Sequence, residues 1–291
     1  MRHRFIRTHA KRYRVRKLCQ TLGVSRSGYY AWWARALSQR DRVDAILIDK
    51  IRTVHRVSDG TYGSPRVQAQ LRAQGERYSR RRIARLMRKA GLVGIATRRR
   101  RRSARAKRKG YFAPNLLARQ FSSDKPNQRW VSDVTFIPTR EGFVYLATVM
   151  DLHSRRIVGW SMHNRQTHHL AVDALQMAIE HRRPPPGCLV HSDQGTQYVS
   201  APYQAQLARY GLVCSMSGKG ACADNAVMES FYHTMKTERM WDRPYQTRDE
   251  ARQSVFDYIE VFYNRKRLHS ALDYRSPVAY EQSTTSPQLT V

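Results

Sequence analysis

The sequence has few acidic residues, and this shortage limits what the chain can bind. Its 291 residues include 22 Asp and Glu against 53 Lys and Arg, which gives a formal net charge of +31 at pH 7. So large an excess of one sign exceeds what solubility requires and is typical of proteins with a phosphate-dense partner. The composition therefore predicts a nucleic-acid-binding protein, in which each acid within an ordered element needs a specific explanation.

Long apolar runs and paired cysteines are also missing. No stretch approaches the roughly 20 apolar residues of a membrane-spanning helix, and the Arg-rich N-terminus lacks an apolar signal core. The cysteines Cys19, Cys188, Cys214 and Cys222 form no CxxC pair, which favours buried reduced thiols over disulfides or zinc ligands. Because 41% of the residues are apolar, we expect a globular protein with a real core. The missing spanning helix and signal core lead us to expect a cytoplasmic protein without a membrane partner.

Three carboxylates stand out against this basic background. Asp133 lies in the β-branched run WVSDVTFI (130–137), and Asp193 follows the short apolar strand 188–191 in the block HSDQGTQY. Glu229 lies 36 positions after Asp193, within the helical segment DNAVMESFYHTMKTE (224–238). Three acids brought together can hold two divalent cations across a phosphodiester. Taken singly, the acids have simpler interpretations as a strand-end cap, a turn residue and a solvated helix charge.

Several motifs in combination resemble the insertion-sequence transposases of the IS-three family, which are relatives of retroviral integrases. The matching features are the Trp-led Asp133, the HSDQGTQY block, the 35 residues between Asp193 and Glu229, Lys236, and YNRKRLHSALDYRSPVAY (263–280). The resemblance runs roughly from residue 10 to 283 and implies an α/β fold with a ribonuclease-H-like mixed sheet flanked by helices. It also implies a DDE-type transposase that cleaves the element's ends and joins the freed 3′-hydroxyl to DNA by two-metal transesterification.

The same resemblance implies the site and the partners. Asp133, Asp193 and Glu229 would be the catalytic and metal-binding residues, with Mg²⁺ as the metal and Mn²⁺ as its substitute. The partners would be element ends and target DNA, a homo-oligomer on that DNA, and an upstream-frame protein fused to this chain, in a bacterial, nucleoid-associated setting. Two alternatives stay open, a catalytically silent DNA-binding regulator of the element and a related integrase or nuclease. We expect hydrogen-bonding or packing roles for His191 and His233.

The first 97 residues read as two helical regions. Residues 1–40 are a basic segment in which two predicted helices flank the break LGVS (22–25), with Gly23 in the turn and Ser25 as N-cap of the second helix. This pattern is typical of a helix-turn-helix. We expect no third helix before the pair. Residues 41–97 are predicted to form a helical DNA-binding domain with helices from Val43, from Pro65, and from Arg80 to Ala90, the last with Ser79 as its N-cap. The last helix crowds five cations around its apolar stripe, which favours contact with phosphates over a solvated surface.

A basic linker, 98–126, separates this region from an integrase-type catalytic core, 127–283, and a polar tail, 284–291. Nine of the twelve residues in RRRRRSARAKRK (98–109) are Lys or Arg, so this part cannot fold by burial; we expect the stretch from Tyr111 to Pro126 to pack loosely. The residues expected to contact DNA are Lys236, Asn225, Arg81, Arg82, Arg85, Arg88, Lys89, Arg99, Arg100, Arg101, Arg102, Lys107 and Arg108.

The core pattern predicts an antiparallel meander of three strands, 130–137, 143–151 and 156–162, with a turn at Glu141-Gly142. Alternating helices and strands follow. The last predicted helix is opened by Thr247 and Glu250 as a capping box and runs to about Asn264, with Phe256, Ile259 and Tyr263 on its buried stripe. The loop 217–224, rich in small residues, is placed like the family's mobile active-site loop.

Overall fold

A computed structural model describes residues 1–34, 38–95, 112–218, 221–240 and 244–285. The predicted phosphate-binding stretch 98–109, with Arg99 to Arg102, Lys107 and Arg108, lies outside the described residues. So do positions 219 and 220 of the loop 217–224 and most of the polar tail. These predictions therefore stay predictions.

The N-terminal segment is a three-helix unit, which corrects the expectation that no third helix precedes the pair. Its helices are α1 (Arg2–His9), α2 (Val15–Thr21) and α3 (Arg26–Ala34). Ile6 of α1 is buried together with Cys19 and Tyr29. The only other apolar residue of this basic helix is the exposed Phe5, so its sequence shows no apolar periodicity. As expected, Gly23 makes the turn at φ +62°, and the Ser25 hydroxyl accepts a 3.0 Å hydrogen bond from Gly28 N.

Three further helices form the second helical region. They are α4 (Gln39–Val57), α5 (Ser64–Ala73) and α6 (Arg80–Lys89). Helix α4 begins four residues earlier than predicted because the Ser38 hydroxyl caps it, accepting from Asp41 N at 3.1 Å. The predicted cap of α6 is confirmed, since the Ser79 hydroxyl accepts from Arg82 N at 3.3 Å.

The catalytic core is built on a five-stranded sheet with the order β3-β2-β1-β4-β5. Its strands are β1 (Arg129–Thr139), β2 (Gly142–Asp151), β3 (Ile157–His163), β4 (Leu189–Ser192) and β5 (Val213–Met216). The first three are antiparallel neighbours, β4 is parallel to β1, and β5 is parallel to β4. The predicted meander is confirmed, but its turn is Arg140-Glu141, one residue earlier, because Gly142 at φ +109° already begins β2.

Helices cover both faces of this sheet. They are α7 (His168–Arg182), α8 (Ala201–Arg209), α9 (Ala226–Arg239), α10 (Arg248–Phe256) and α11 (Pro277–Thr285). Residues of α7 and α8 share one apolar cluster with alternate residues of β1 and β2. Residues of α9 and α10 share a second cluster, which also contains the core of α4 to α6. The expected mixed sheet flanked by helices, preceded by a helical region, is therefore present.

Two expectations about packing in the core were wrong. Helix α10 stops at Phe256 and continues as a π-helix, Asp257–Tyr263. Ile259 and Tyr263 are buried as expected, but the wider turn leaves Phe256 44% exposed. The end of the linker, 112–126, does not pack loosely, since Leu117 is buried and its backbone N–H donates to the Ser215 hydroxyl at 3.2 Å.

The structure describes the side chains of three of the four cysteines. Cys19, Cys188 and Cys214 are free thiols, the first two buried, and the side chain of Cys222 is not described. Of the helices described, none has the length and apolar character needed to cross a membrane.

Candidate active site

The two aspartates lie at the same level of two neighbouring parallel strands. Residues Val131 of β1 and His191 of β4 are the last registered pair, and Asp133 and Asp193 each come two residues later. Parallel strands advance together at about 3.3 Å per residue and lie about 5 Å apart. The register therefore brings the two carboxylates side by side, where β4 has ended and the edge of β1 is uncovered.

Short local bonds fix the conformation of each aspartate. Asp133 Oδ1 accepts from Val134 N at 2.8 Å, and Asp193 Oδ1 accepts from Gly195 N at 2.9 Å. A Cβ at Gly195 would stand only 2.7 Å from Asp193 Oδ1. Glycine is therefore required in the HSDQGTQY block because the carboxylate lies against its backbone.

Helix α9 is bound along β1 by three hydrogen bonds. Asn225 Nδ2 donates to the Ser132 carbonyl at 3.0 Å, Tyr232 Oη to the Asp133 carbonyl at 2.5 Å, and Lys236 Nζ to Thr135 Oγ1 at 2.7 Å. Glu229 lies four residues after the first of these donors and three before the second, so it shares their face of the helix. The structure thus brings Glu229 to the stretch of β1 that carries Asp133.

Two buried tyrosines line this junction, and sequence reasoning did not single them out. The pKa of Tyr198 is raised by burial first and then by the charge of Asp133, with a further contribution from Asp193. Burial followed by the same two charges raises the pKa of Tyr232. Both hydroxyls therefore stay protonated within electrostatic range of both aspartates. The only sequence signal for Tyr232 was its position three residues after Glu229, on the same helix face.

The expectations for the histidines are borne out in one case and refined in the other. His191 Nδ1 bonds to Ser215 Oγ at 2.8 Å and Nε2 to Ser217 Oγ at 3.1 Å, and burial lowers the pKa of His191 to about 4. It is a neutral, hydrogen-bonded residue of the sheet. Within the described ranges, the buried Nε2 of His233 finds no hydrogen-bond partner, which leaves this residue a packing role.

The donor chemistry at this junction suits a hard divalent cation. In the described part of the chain, no group of three or more His, Cys, Asp or Glu side chains is arranged as a ready metal cluster. The acids predicted for the site, Asp133, Asp193 and Glu229, have only carboxylate oxygens to offer, the ligands that Mg²⁺ and Mn²⁺ prefer. In addition, Asn225 Oδ1 is buried beside the site without a hydrogen-bond partner among the described residues.

The two residues expected to contact DNA from α9 are also engaged with β1. Asn225 is 4% exposed and donates to Ser132, so it fastens the helix to the strand and makes no capping bond with its side chain. Lys236 Nζ lies 4.8 Å from the ring centre of Phe136, which is 52% exposed. Lys236 thus stands at the open edge of β1 with an aromatic surface beside it.

The basic face of α6 is partly neutralised within the protein, which corrects its expected charge. Arg82 Nη2 lies 2.7 Å and Arg85 Nη2 2.5 Å from the carboxylate oxygens of Asp44, a buried residue of α4. The hydrogen bond from Arg85 is the largest cause that lowers the pKa of Asp44. These two arginines hold α6 against α4 while Arg85, like Arg81, Arg88 and Lys89, remains exposed.

Comparisons with known proteins bear on both regions. Residues 41–101 match the model of an HTH-like domain, and residues 123–222 and 229–284 match two models of an integrase core domain. Transposase InsF for insertion sequence IS3A of Escherichia coli K12 is 40% identical over 286 residues, covering 97% of this chain and 98% of that protein. An uncharacterized 31 kDa protein of insertion element IS600 from Shigella sonnei is 41% identical over 265 residues, covering 91% and 97%.

Solved structures of viral integrases also resemble the chain. The simian T-cell lymphotropic virus intasome, in complex with PP2A regulatory subunit B56 gamma, aligns with 18% identity and a TM-score of 0.46, over 83% of this chain and 76% of that one. The HTLV-2 integrase catalytic core domain in complex with magnesium aligns with 18% identity and a TM-score of 0.41, over 54% of this chain and 97% of that one.

Proposed function

The chain belongs to the IS3 family of insertion-sequence transposases, and we propose that it cleaves the ends of its element and joins the freed 3′-hydroxyl to DNA. The observation that carries this proposal is the shared level of Asp133 and Asp193 on paired parallel strands, with the Glu229 face of α9 bonded to the same stretch of β1. We infer that the carboxylates of Asp133, Asp193 and Glu229 act together where β4 ends, on a strongly basic protein.

Asp133, Asp193 and Glu229 would hold Mg²⁺, for which Mn²⁺ can substitute. Such ions activate the attacking oxygen of a phosphoryl transfer and stabilise charge on the leaving oxygen. The role of the surrounding residues would be to position the acids. Asn225, Tyr232 and Lys236 attach α9 to β1 by hydrogen bonds and would thereby hold Glu229 near the aspartates. Gly195 and Val134 hold the two aspartates through their backbone N–H groups.

The reaction exchanges one phosphodiester bond for another. In the first step water attacks the phosphorus at the element's end, the bond to the 3′-oxygen breaks, and that oxygen leaves as a hydroxyl. In the second step this hydroxyl attacks a phosphorus of the target, and the displaced 3′-oxygen leaves. Because each step breaks one P–O bond and forms one, joining needs neither ATP nor a covalent intermediate with the protein.

Affinity for DNA would come from the helical regions and the basic linker. The exposed cations Arg81, Arg88 and Lys89 of α6 and the stretch 98–109 are the sources we propose. We further propose that the protein works in the bacterial cytoplasm at the nucleoid, as an oligomer on two element ends, and that it also acts fused to an upstream-frame protein.

The test is the Asp193→Asn variant, because Asn keeps an oxygen for Gly195 N but loses the charge. DNA bearing the element's ends should still bind, whereas cleavage and strand joining in Mg²⁺ should fall below detection. Asp249→Asn, the same change on a side chain that is 89% exposed, is the matched control and should remain active. Strand joining by Asp193→Asn at the wild-type rate would overturn the acid assignment.

The alternative of a catalytically silent regulator gives a different result in the same assay. A wild-type protein that binds element ends but joins no strands, alone or fused to an upstream-frame partner, would support the regulator.

A further inference from the structure

A second site lies on a different face of α9 from Glu229. A cavity of about 320 Å³ is bounded by α9, by Arg66 of α5 and by the chain that follows the π-helix. Ala226, Ser230 and Thr234 of α9 line it at four-residue intervals, which places it on one stripe of the helix. We call it the junction pocket because it lies where the helical region meets the catalytic core.

The junction pocket concentrates positive charge. Arg66, Arg155, Arg267 and His269 all line it. Burial is the largest cause that lowers the pKa of His269, and the charges of all three arginines lower it further. The four groups are therefore close enough to act on one another, and His269 remains neutral while the guanidinium groups remain charged.

Only one of these guanidinium groups is neutralised by a carboxylate in the described part of the chain. Arg267 forms a two-pronged ion pair with Glu238, with nitrogen to oxygen distances of 2.8 and 2.9 Å. Arg66 Nε donates to the Leu268 carbonyl at 2.9 Å and Arg155 Nη2 to the Phe121 carbonyl at 2.6 Å. Carbonyl oxygens satisfy single N–H groups but carry no net charge. The charge of Glu238 also acts on Arg66, but this single carboxylate is already paired with Arg267, so the three arginines keep a net positive charge.

Uncompensated charge in a half-buried pocket is unfavourable, and an anion removes that cost. The lining supplies matching donors, since Ser230 and Ser270 are exposed and Thr234 is half-buried. Two guanidinium groups and three hydroxyls suit a group with several acceptor oxygens and more than one negative charge. Guanidinium groups bind phosphate in this way, through paired N–H donors.

We propose that the junction pocket binds a phosphate group. The pocket is open at Ser230 and Ser270, so the phosphate can belong to a DNA backbone or to a free phosphate ion. Tyr62 Oη, next to α5, donates to the Lys266 carbonyl at 3.2 Å and accepts from Leu268 N at 2.8 Å. A bound phosphate would therefore reinforce the attachment of the helical region to the segment that packs against the catalytic helix.

The first test uses inorganic phosphate and the full chain in the presence of a chelator, at constant ionic strength. Phosphate should raise the midpoint of thermal unfolding more than chloride does, and Arg66→Gln and Arg155→Gln should each weaken phosphate binding about tenfold or more. Arg265→Gln, the same change on an exposed residue outside the pocket, should bind as wild type does. Arg66→Lys keeps the charge but loses the paired N–H donors, so it should bind phosphate more tightly than Arg66→Gln and less tightly than wild type.

The second test identifies the source of the phosphate. If it is a DNA backbone, Arg66→Gln should lower the slope of log K against log salt by about 0.9 relative to Arg265→Gln, and duplex DNA should displace bound phosphate. If it is a free ion, the slope should match the control while phosphate binding is still lost. The proposal is wrong if Arg66→Gln and Arg155→Gln bind both phosphate and DNA as Arg265→Gln does.

The junction pocket rests on the proposed function only where the phosphate is that of DNA. Asp193→Asn should bind inorganic phosphate as wild type does, whether or not it joins DNA strands. Loss of phosphate binding in that variant would place the anion at the acid site and overturn the pocket. Failure of either proposal therefore leaves the other measurable.

Discussion

Tyr232 of α9 is hydrogen-bonded to the main chain of Asp133, the first of the two aspartates. Its hydroxyl donates a 2.5 Å hydrogen bond to the main-chain carbonyl of Asp133 and lies 2.8 Å from Thr148 Oγ1 on the neighbouring strand. One side chain of α9 thus connects the catalytic helix to both β1 and β2. Glu229 is one turn away, so its position depends on this contact.

Tyr232→Phe should therefore reduce strand joining by about tenfold or more while it lowers the free energy of unfolding by about 1 to 2 kcal/mol, the usual cost of one buried hydrogen bond. Single-turnover joining rates and urea unfolding measure the two effects. The control is Tyr203→Phe, because the buried Tyr203 hydroxyl has no hydrogen-bond partner among the described residues and its removal should leave both quantities nearly unchanged. Equal rates for the two variants would remove the positioning role of Tyr232.

Glu281 of α11 makes stability depend on pH in a defined direction. Burial alone would raise its pKa, but the hydrogen bond from Ser154 and the charge of Arg182 outweigh it and lower the pKa below the ordinary 4.5. A lowered carboxyl pKa contributes stability that is present above about pH 4.5 and is lost as pH falls through the folded-state pKa. Arg182 Nη2 lies 2.9 Å from the carboxylate.

Glu281→Gln should accordingly be less stable than wild type at pH 7, and the difference should shrink as pH falls below 4.5. Urea unfolding at several pH values measures it. Asp249→Asn, with its exposed side chain, should show almost no difference at any pH. A gap for Glu281→Gln that stays constant from pH 7 to pH 3 would contradict the role of its charge.

The stretch 98–109 should supply sequence-independent affinity. Replacing Arg99 to Arg102, Lys107 and Arg108 by Gln should flatten the slope of log K against log salt by up to about 5, at about 0.9 for each phosphate that is no longer neutralised. Fluorescence anisotropy with a random duplex measures the slope. A second variant with Lys at all six positions keeps the charge and should keep the slope; an unchanged slope in the Gln variant would show that the linker stays off the DNA.

The loop 217–224 should change conformation when end DNA binds. An alanine Cβ at Gly218 would meet Ala221 Cβ and Asp224 Oδ2 at 3.5 Å, an ordinary contact, so Gly218→Ala fits the structure and should stabilise it by about 0.4 to 1 kcal/mol. If the loop must move for joining, the joining rate should fall although stability rises. Hydrogen exchange at these amides with and without end DNA is the direct measurement, and equal protection would mean a fixed loop.

The sequence alone determined the kinds of elements and their order. Strands β1 to β3 follow from alternating β-branched residues, and the caps Ser25 and Ser79 from local hydrogen bonding, because such signals act over a few neighbouring residues. The spacing and context of Asp133, Asp193 and Glu229 also identified the family, since several separate motifs matched at once. Helix α1 was not predicted because its single buried residue, Ile6, produces no apolar periodicity.

Only the tertiary structure decided which residues meet. The parallel pairing of β1 with β4 sets Asp133 beside Asp193 across 60 positions of sequence, and no local preference encodes a register between distant strands. In the same way Asp44 neutralises Arg82 and Arg85, and Arg66 meets Arg155 in the junction pocket. Charge can be counted in a sequence, but its neutralisation depends on distance, which the packing of remote segments alone sets.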